Sequence, residues 1–93
     1  MQKVAITETF GGITVVSVVH LSDDAIKVMA AYAKYRRLRR LEDERQWFDH
    51  PANNDLRKAG IAESDEVAEN EYISCSLTER GQKVLAKLKK AGL

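Results

Sequence analysis

From Val4 to Leu21 the chain is rich in Val, Ile and Thr and is interrupted once, at Gly11-Gly12. Branched side chains suit a pleated strand, and a Gly-Gly pair supplies the positive φ angles of a two-residue turn, so this stretch predicts a β-hairpin. Its first strand alternates Val4, Ile6 and Glu8 with Ala5, Thr7 and Thr9. The second, Ile13 to Leu21, is nearly all apolar, which predicts a central strand covered on both faces.

Ser22 followed by Asp23 and Asp24 marks a helix start: the hydroxyl caps free amides and the carboxylates favour the positive end of the helix dipole. Ile26, Met29, Ala30 and Ala33 form the expected buried stripe, and Leu38, Leu41 and Phe48 extend it. The pattern predicts one helix from Asp23 to about Phe48, unbroken or kinked near Leu41. Asp49-His50-Pro51 then opens a short helix, Pro51 to Ala59, which Gly60 ends. Ile61 to Glu63 and Tyr72 to Leu77 read as two strands joined by an acidic loop, with Ile73, Cys75 and Leu77 on one face. Thr78 caps a last helix whose apolar positions Val84, Leu85, Leu88 and Ala91 recur at helical spacing before the stop at Gly92. The expected order is ββ-α-α-ββ-α, an α+β arrangement filling one domain, residues 1–93.

Fifteen Lys and Arg face fourteen Asp and Glu, a formal net charge of +1, so attraction to a polyanion has to be local. Cys75 is the only cysteine, which excludes an intramolecular disulfide and suits a reducing, cytoplasmic compartment. The uncharged run Thr9 to Ser22 is too short to span a bilayer, so no membrane partner is expected. His20 in an apolar strand, His50 before a proline and Cys75 on an inward face are ordinary structural positions. No spacing of metal ligands, Gly-rich phosphate loop or nucleophile motif occurs, so the sequence predicts a binding protein without cofactor, metal or catalytic residues.

Two segments carry a resemblance. Leu56-Arg57-Lys58-Ala59-Gly60-Ile61 and Tyr72-Ile73-Ser74-Cys75-Ser76-Leu77-Thr78-Glu79-Arg80-Gly81 resemble the C-terminal part of winged-helix transcription regulators of the MarR and PadR kind. The resemblance implies a winged-helix-like domain with an added N-terminal hairpin. In it the Ala-Gly-Ile turn ends a recognition helix, two strands form the wing, and Leu-Thr-Glu-Arg-Gly opens the next helix. The first half departs from this pattern: a full hairpin leads, and the recognition helix is short.

Lys34, Arg36, Arg37, Arg39 and Arg40 put five cations within seven residues, beside Tyr32 and Tyr35. On a helix they would wrap the circumference and let several guanidiniums face a phosphate backbone; alternatively they form a solvated face neutralised by Glu42, Asp43 and Glu44. Asn53, Asn54, Arg57 and Lys58 fall where the resemblance puts base-reading residues, and are of the types that read adenine and guanine edges. The last helix adds Arg80, Lys83, Lys87, Lys89 and Lys90, a phosphate patch or a solubilising face. Double-stranded DNA bound by a homodimer, in transcription regulation, is the expectation that follows.

The loop carrying Glu63, Asp65, Glu66, Glu69 and Glu71 has no cation and would be repelled by DNA. With Trp47, one of two adjacent aromatics at a helix end, it suggests the rival reading: a protein-binding adaptor or inhibitor of the phage or mobile-element type. An exposed first strand, Lys3 to Thr9, would also offer an edge to another sheet.

Overall fold

A computed structural model describes residues 2–41, 43–66 and 73–93. It is a small mixed α+β fold with two sheets and four helices: β1 (Gln2–Phe10), β2 (Ile13–Leu21), α1 (Asp23–Tyr35), β3 (Arg37–Arg39), α2 (Arg45–Phe48), α3 (Pro51–Lys58), β4 (Ala62–Glu66), β5 (Ile73–Leu77) and α4 (Glu79–Lys90). Neither sheet closes into a barrel; β1 and β2 form one, and the other has the order β3-β5-β4, antiparallel throughout. Among the described residues no helix is long and apolar enough to cross a membrane.

The hairpin turns at Gly11 and Gly12, with φ of 55° and 84°, and pairs Phe10 with Ile13 through to Gln2 with Leu21. Two positive φ angles in succession are those of a type I′ turn, which matches the strand twist. Only the base of the hairpin enters the core, through Val4, Ile6, Val19 and Leu21. The structure corrects the expected double coverage of β2: Ile13, Val15, Val16 and Val18 are exposed, because among the described residues β2 has one strand beside it and its distal half is left uncovered.

Ser22 Oγ accepts from the Ala25 amide at 3.1 Å, and α1 buries Ala25, Val28, Met29, Ala31 and Tyr32. The buried stripe is therefore turned from the expected one: Ile26 and Ala33 lie at its margin and Ala30 is exposed. The helix does not continue to Phe48. It stops at Arg36, whose φ of 66° reverses the chain while its amide donates to the Tyr32 carbonyl at 2.8 Å. Beyond it, Leu38 is buried between exposed Arg37 and Arg39, a period of two that a strand satisfies and a helix does not. Arg37–Arg39 accordingly forms β3 against Ser74–Ser76 of β5.

His50 Nδ1 accepts from the Ala52 amide at 3.0 Å and Pro51 occupies the first turn of α3, so the Asp49-His50-Pro51 signal operates as expected. The two motif segments meet in space. Thr78 Oγ1 donates to the Gly60 and Ile61 carbonyls and accepts from the Gly81 amide, and the Thr78 amide donates to the Ile61 carbonyl at 3.0 Å. Gly60 turns with φ of 72°. A Cβ on Gly81 would overlap the Ile61 carbonyl oxygen and lie 3.1 Å from Leu77 Cβ, so only glycine permits this approach. Ile61, Ala62, Leu77, Val84, Leu85 and Leu88 complete a core continuous with α1 and the hairpin base.

Candidate nucleic-acid interface

The first turn of α3 is fixed from outside and from below. Ala52, Asn53 and Leu56 are buried, leaving Asn54, Asp55, Arg57 and Lys58 exposed. Asn54, Arg57 and Lys58 line one shallow depression. The Arg57 guanidinium donates to Asn54 Oδ1 and, at 3.0 Å, to Ser64 Oγ on β4, which holds it between helix and sheet.

Asn53 is not part of that surface. It is 1% exposed; its Oδ1 accepts from the Tyr32 hydroxyl at 2.6 Å and its Nδ2 donates to the Phe48 carbonyl at 3.1 Å. The expected base contact is therefore corrected to an interior bridge between α1 and α3. Burial pushes the Tyr32 phenol well above its ordinary pKa, with the neighbouring Cys75 adding to the effect.

The arginine cluster does not wrap a helix. Register places Arg37 and Arg39 on one face of β3, Ser76 and Ser74 opposite them on β5, and Glu63 and Asp65 beyond on β4. The central strand carries short side chains on this face, so a long arginine on one edge reaches a carboxylate on the other: Arg37 Nε lies 3.7 Å from Asp65 Oδ2, and Ser74 is buried. Arg39 grips Glu44, its amide donating at 2.9 Å and its guanidinium at 3.2 Å to both carboxylate oxygens. Glu44 is 6% exposed, so this pair is a fixed structural element. Arg40 Nε lies 3.4 Å from Asp49 Oδ1, with the guanidinium over the Phe48 ring.

Three of the four expected phosphate anchors thus face carboxylates. Of the expected neutralising residues Glu42, Asp43 and Glu44, Glu44 takes Arg39, while Arg37 and Arg40 turn to Asp65 and Asp49, because the segment is a strand and not a helix. The exposed pair Arg40–Asp49 is worth about 0–1 kcal/mol, and in the other, Arg37 is exposed while Asp65 is half-buried. Arg36 is in no ion pair among the described residues, and lines a groove with Gln82 and Lys89 of α4.

On α4, Arg80 Nε lies 3.4 Å from Glu8 Oε1 while its terminal nitrogen donates to the Ala59 carbonyl at 2.9 Å, and Lys83 Nζ donates to the Thr7 carbonyl at 2.9 Å. These two cations therefore tie the hairpin to the body. Lys87, Lys89 and Lys90 stay exposed.

Of the acidic residues, Glu63 is exposed on β4 and Asp65 is half-buried beside Arg37; Glu66 ends β4. Glu69 and Glu71, with Tyr72, lie outside the described residues, as does Glu42. Trp47 is partly buried against the core and stacks on the His50 ring, centroids 6.3 Å apart and planes at 25°. Cys75 is fully buried, and no three His, Cys, Asp or Glu among the described residues gather into a metal-binding set.

The pattern of residue types pointed to α3, but not to the roles of Glu44, Glu8 and Tyr32, which depend on partners that only folding brings near. Comparison with family models, with curated proteins and with solved structures returned no match.

Proposed function

We propose that this chain is a DNA-binding module without catalytic activity, a small transcription regulator or DNA-associated accessory protein built on a winged-helix-like body. The observation that carries the reading is the outward presentation of Asn54, Arg57 and Lys58 together by α3, directly before the turn where Gly60 and Ile61 dock on Thr78 and Gly81. Support for the body comes from the element sequence α1-β3-α2-α3-β4-β5 and the strand order β3-β5-β4. In this reading Arg57 and Lys58 enter the groove and Asn54 hydrogen-bonds a base edge. Arg36 supplies a phosphate contact, and Arg37 and Arg40 add to it by leaving Asp65 and Asp49. Asn53 and Arg39 are scaffold.

The alternative, a protein-binding adaptor or inhibitor, is favoured by one specific feature: the sheet face that would adjoin DNA carries Glu63 and Asp65 as well as Arg37 and Arg39, and so has no cationic excess. Fluorescence anisotropy of a labelled mixed-sequence duplex, at low and near-physiological salt, separates the two. The DNA reading expects binding that weakens steeply with salt and is lost in Arg57→Glu, Lys58→Glu, with circular dichroism unchanged. Absence of binding at low salt, or equal binding by that variant, overturns it.

A further inference from the structure

The least explained surface of the molecule is the free half of the hairpin. Phe10, Ile13, Val15, Val16 and Val18 are 60%, 69%, 42%, 70% and 53% exposed, five large apolar side chains on one arm. By the register Phe10, Ile13 and Val15 lie on the face that Val19 and Leu21 bury at the base, and Val16 and Val18 lie on the opposite face, so both faces of the arm are apolar.

The backbone of the same arm is also unfinished. The turn pairs Phe10 with Ile13 and the register then alternates, so Thr14, Val16, Val18 and His20 face β1 at positions that exchange no hydrogen bonds with it. Lys83 reaching the Thr7 carbonyl from outside, opposite Val16, fits that alternation. The amides and carbonyls of those four β2 residues therefore point away from β1, and among the described residues no third strand joins this sheet. Soluble proteins usually protect such an edge with charge, proline or a bulge. From Ile13 to Leu21 there is no Lys, Arg, Asp, Glu or Pro.

We infer that β2 is a homodimer interface, pairing edge to edge with β2 of a second copy in an antiparallel, two-fold arrangement that makes one four-stranded sheet. The charge pattern selects a second copy as the occupant. In a two-fold pairing every residue meets a residue of the same strand, so a strand bearing several charges of one sign opposes like with like, which is unfavourable. β2 has none, whereas β1 carries Lys3 and Glu8 and is already engaged by α4. Full overlap of the nine-residue strand puts Ser17 on the axis, Val16 opposite Val18 of the second copy, and Thr14 opposite His20 of the second copy. All four free amide and carbonyl positions are then paired, and Val16 and Val18 of the two copies share one face of the joined sheet. The proposal is independent of the DNA reading.

Sedimentation equilibrium of the full chain tests it, beside Val16→Lys, Val18→Lys, whose substituted positions are exposed and whose fold is checked by circular dichroism. The expected result is twice the monomer mass for the wild type and a dissociation constant raised at least tenfold in the variant. As a second measurement, Ser17→Cys should cross-link under mild oxidation, because residues opposite each other without mutual hydrogen bonds have Cα atoms about 4.5 Å apart, within disulfide range. A wild type monomeric up to its solubility limit, a dimer indifferent to the lysines, or a Ser17→Cys protein that stays uncross-linked overturns the proposal.

Discussion

The Tyr32 hydroxyl donates to Asn53 Oδ1 at 2.6 Å in the interior, joining the last turns of α1 to the first turn of α3. Because Asn53 also donates to the Phe48 carbonyl, one side chain sets both the tilt of α3 and the path of the chain entering it. Asn53→Ala removes both hydrogen bonds and strands a buried phenol, and should cost about 1–3 kcal/mol in urea denaturation. A normally stable Asn53→Ala protein would return Asn53 to the groove-reading set.

The same contact has a pH signature. The Tyr32 phenol holds its proton more tightly folded than unfolded, burial being the main cause. Its contribution to stability is complete below the ordinary tyrosine pKa of about 10 and declines as pH rises through and beyond it. Unfolding free energy measured from neutral to strongly alkaline pH should fall more steeply for the wild type than for Tyr32→Phe, which has no phenol to ionise.

Gly81 sits where the two motif segments touch. Gly81→Ala forces a methyl group into the Ile61 carbonyl and should destabilise by about 3 kcal/mol, the upper range for overpacking, although alanine is the better helix former. Thermal unfolding checks this; unchanged stability would mean that α4 can shift away from the turn.

Arg36 occupies a positive-φ position that favours glycine. Arg36→Gly should relieve the left-handed backbone and stabilise by about 1 kcal/mol. If Arg36 also contacts phosphate, the same variant loses DNA affinity, so stability and binding move in opposite directions. A fall in stability would refute the strain argument.

Asp65 neutralises Arg37 across the sheet. Under the DNA reading Asp65→Asn frees that guanidinium and removes a repelling carboxylate, so affinity for duplex should rise several-fold and depend more steeply on salt. Under the adaptor reading the duplex remains unbound.

The features legible in the residue order are those made over a few positions. Ser22, His50 and Thr78 cap their own helices two or three residues on, Gly11-Gly12 turns between adjacent strands, and Gly60 ends α3 where its backbone demands a positive φ. Each is determined by local covalent geometry and a nearby amide, which the sequence by itself contains. The features that only the tertiary structure decided involve competition between distant partners. Leu38 could extend a helical stripe or fill a strand position, and the core beneath β5 selects the strand, which ends α1 at Arg36 and redistributes the arginines among Asp65, Glu44 and Asp49. Asn53 reads as a polar surface residue until Tyr32, 21 positions earlier, comes within hydrogen-bonding distance. The apolarity of β2 was plain from composition, but its exposure was not: whether a Val is covered depends on what packs over it, and among the described residues nothing covers Val15, Val16 or Val18.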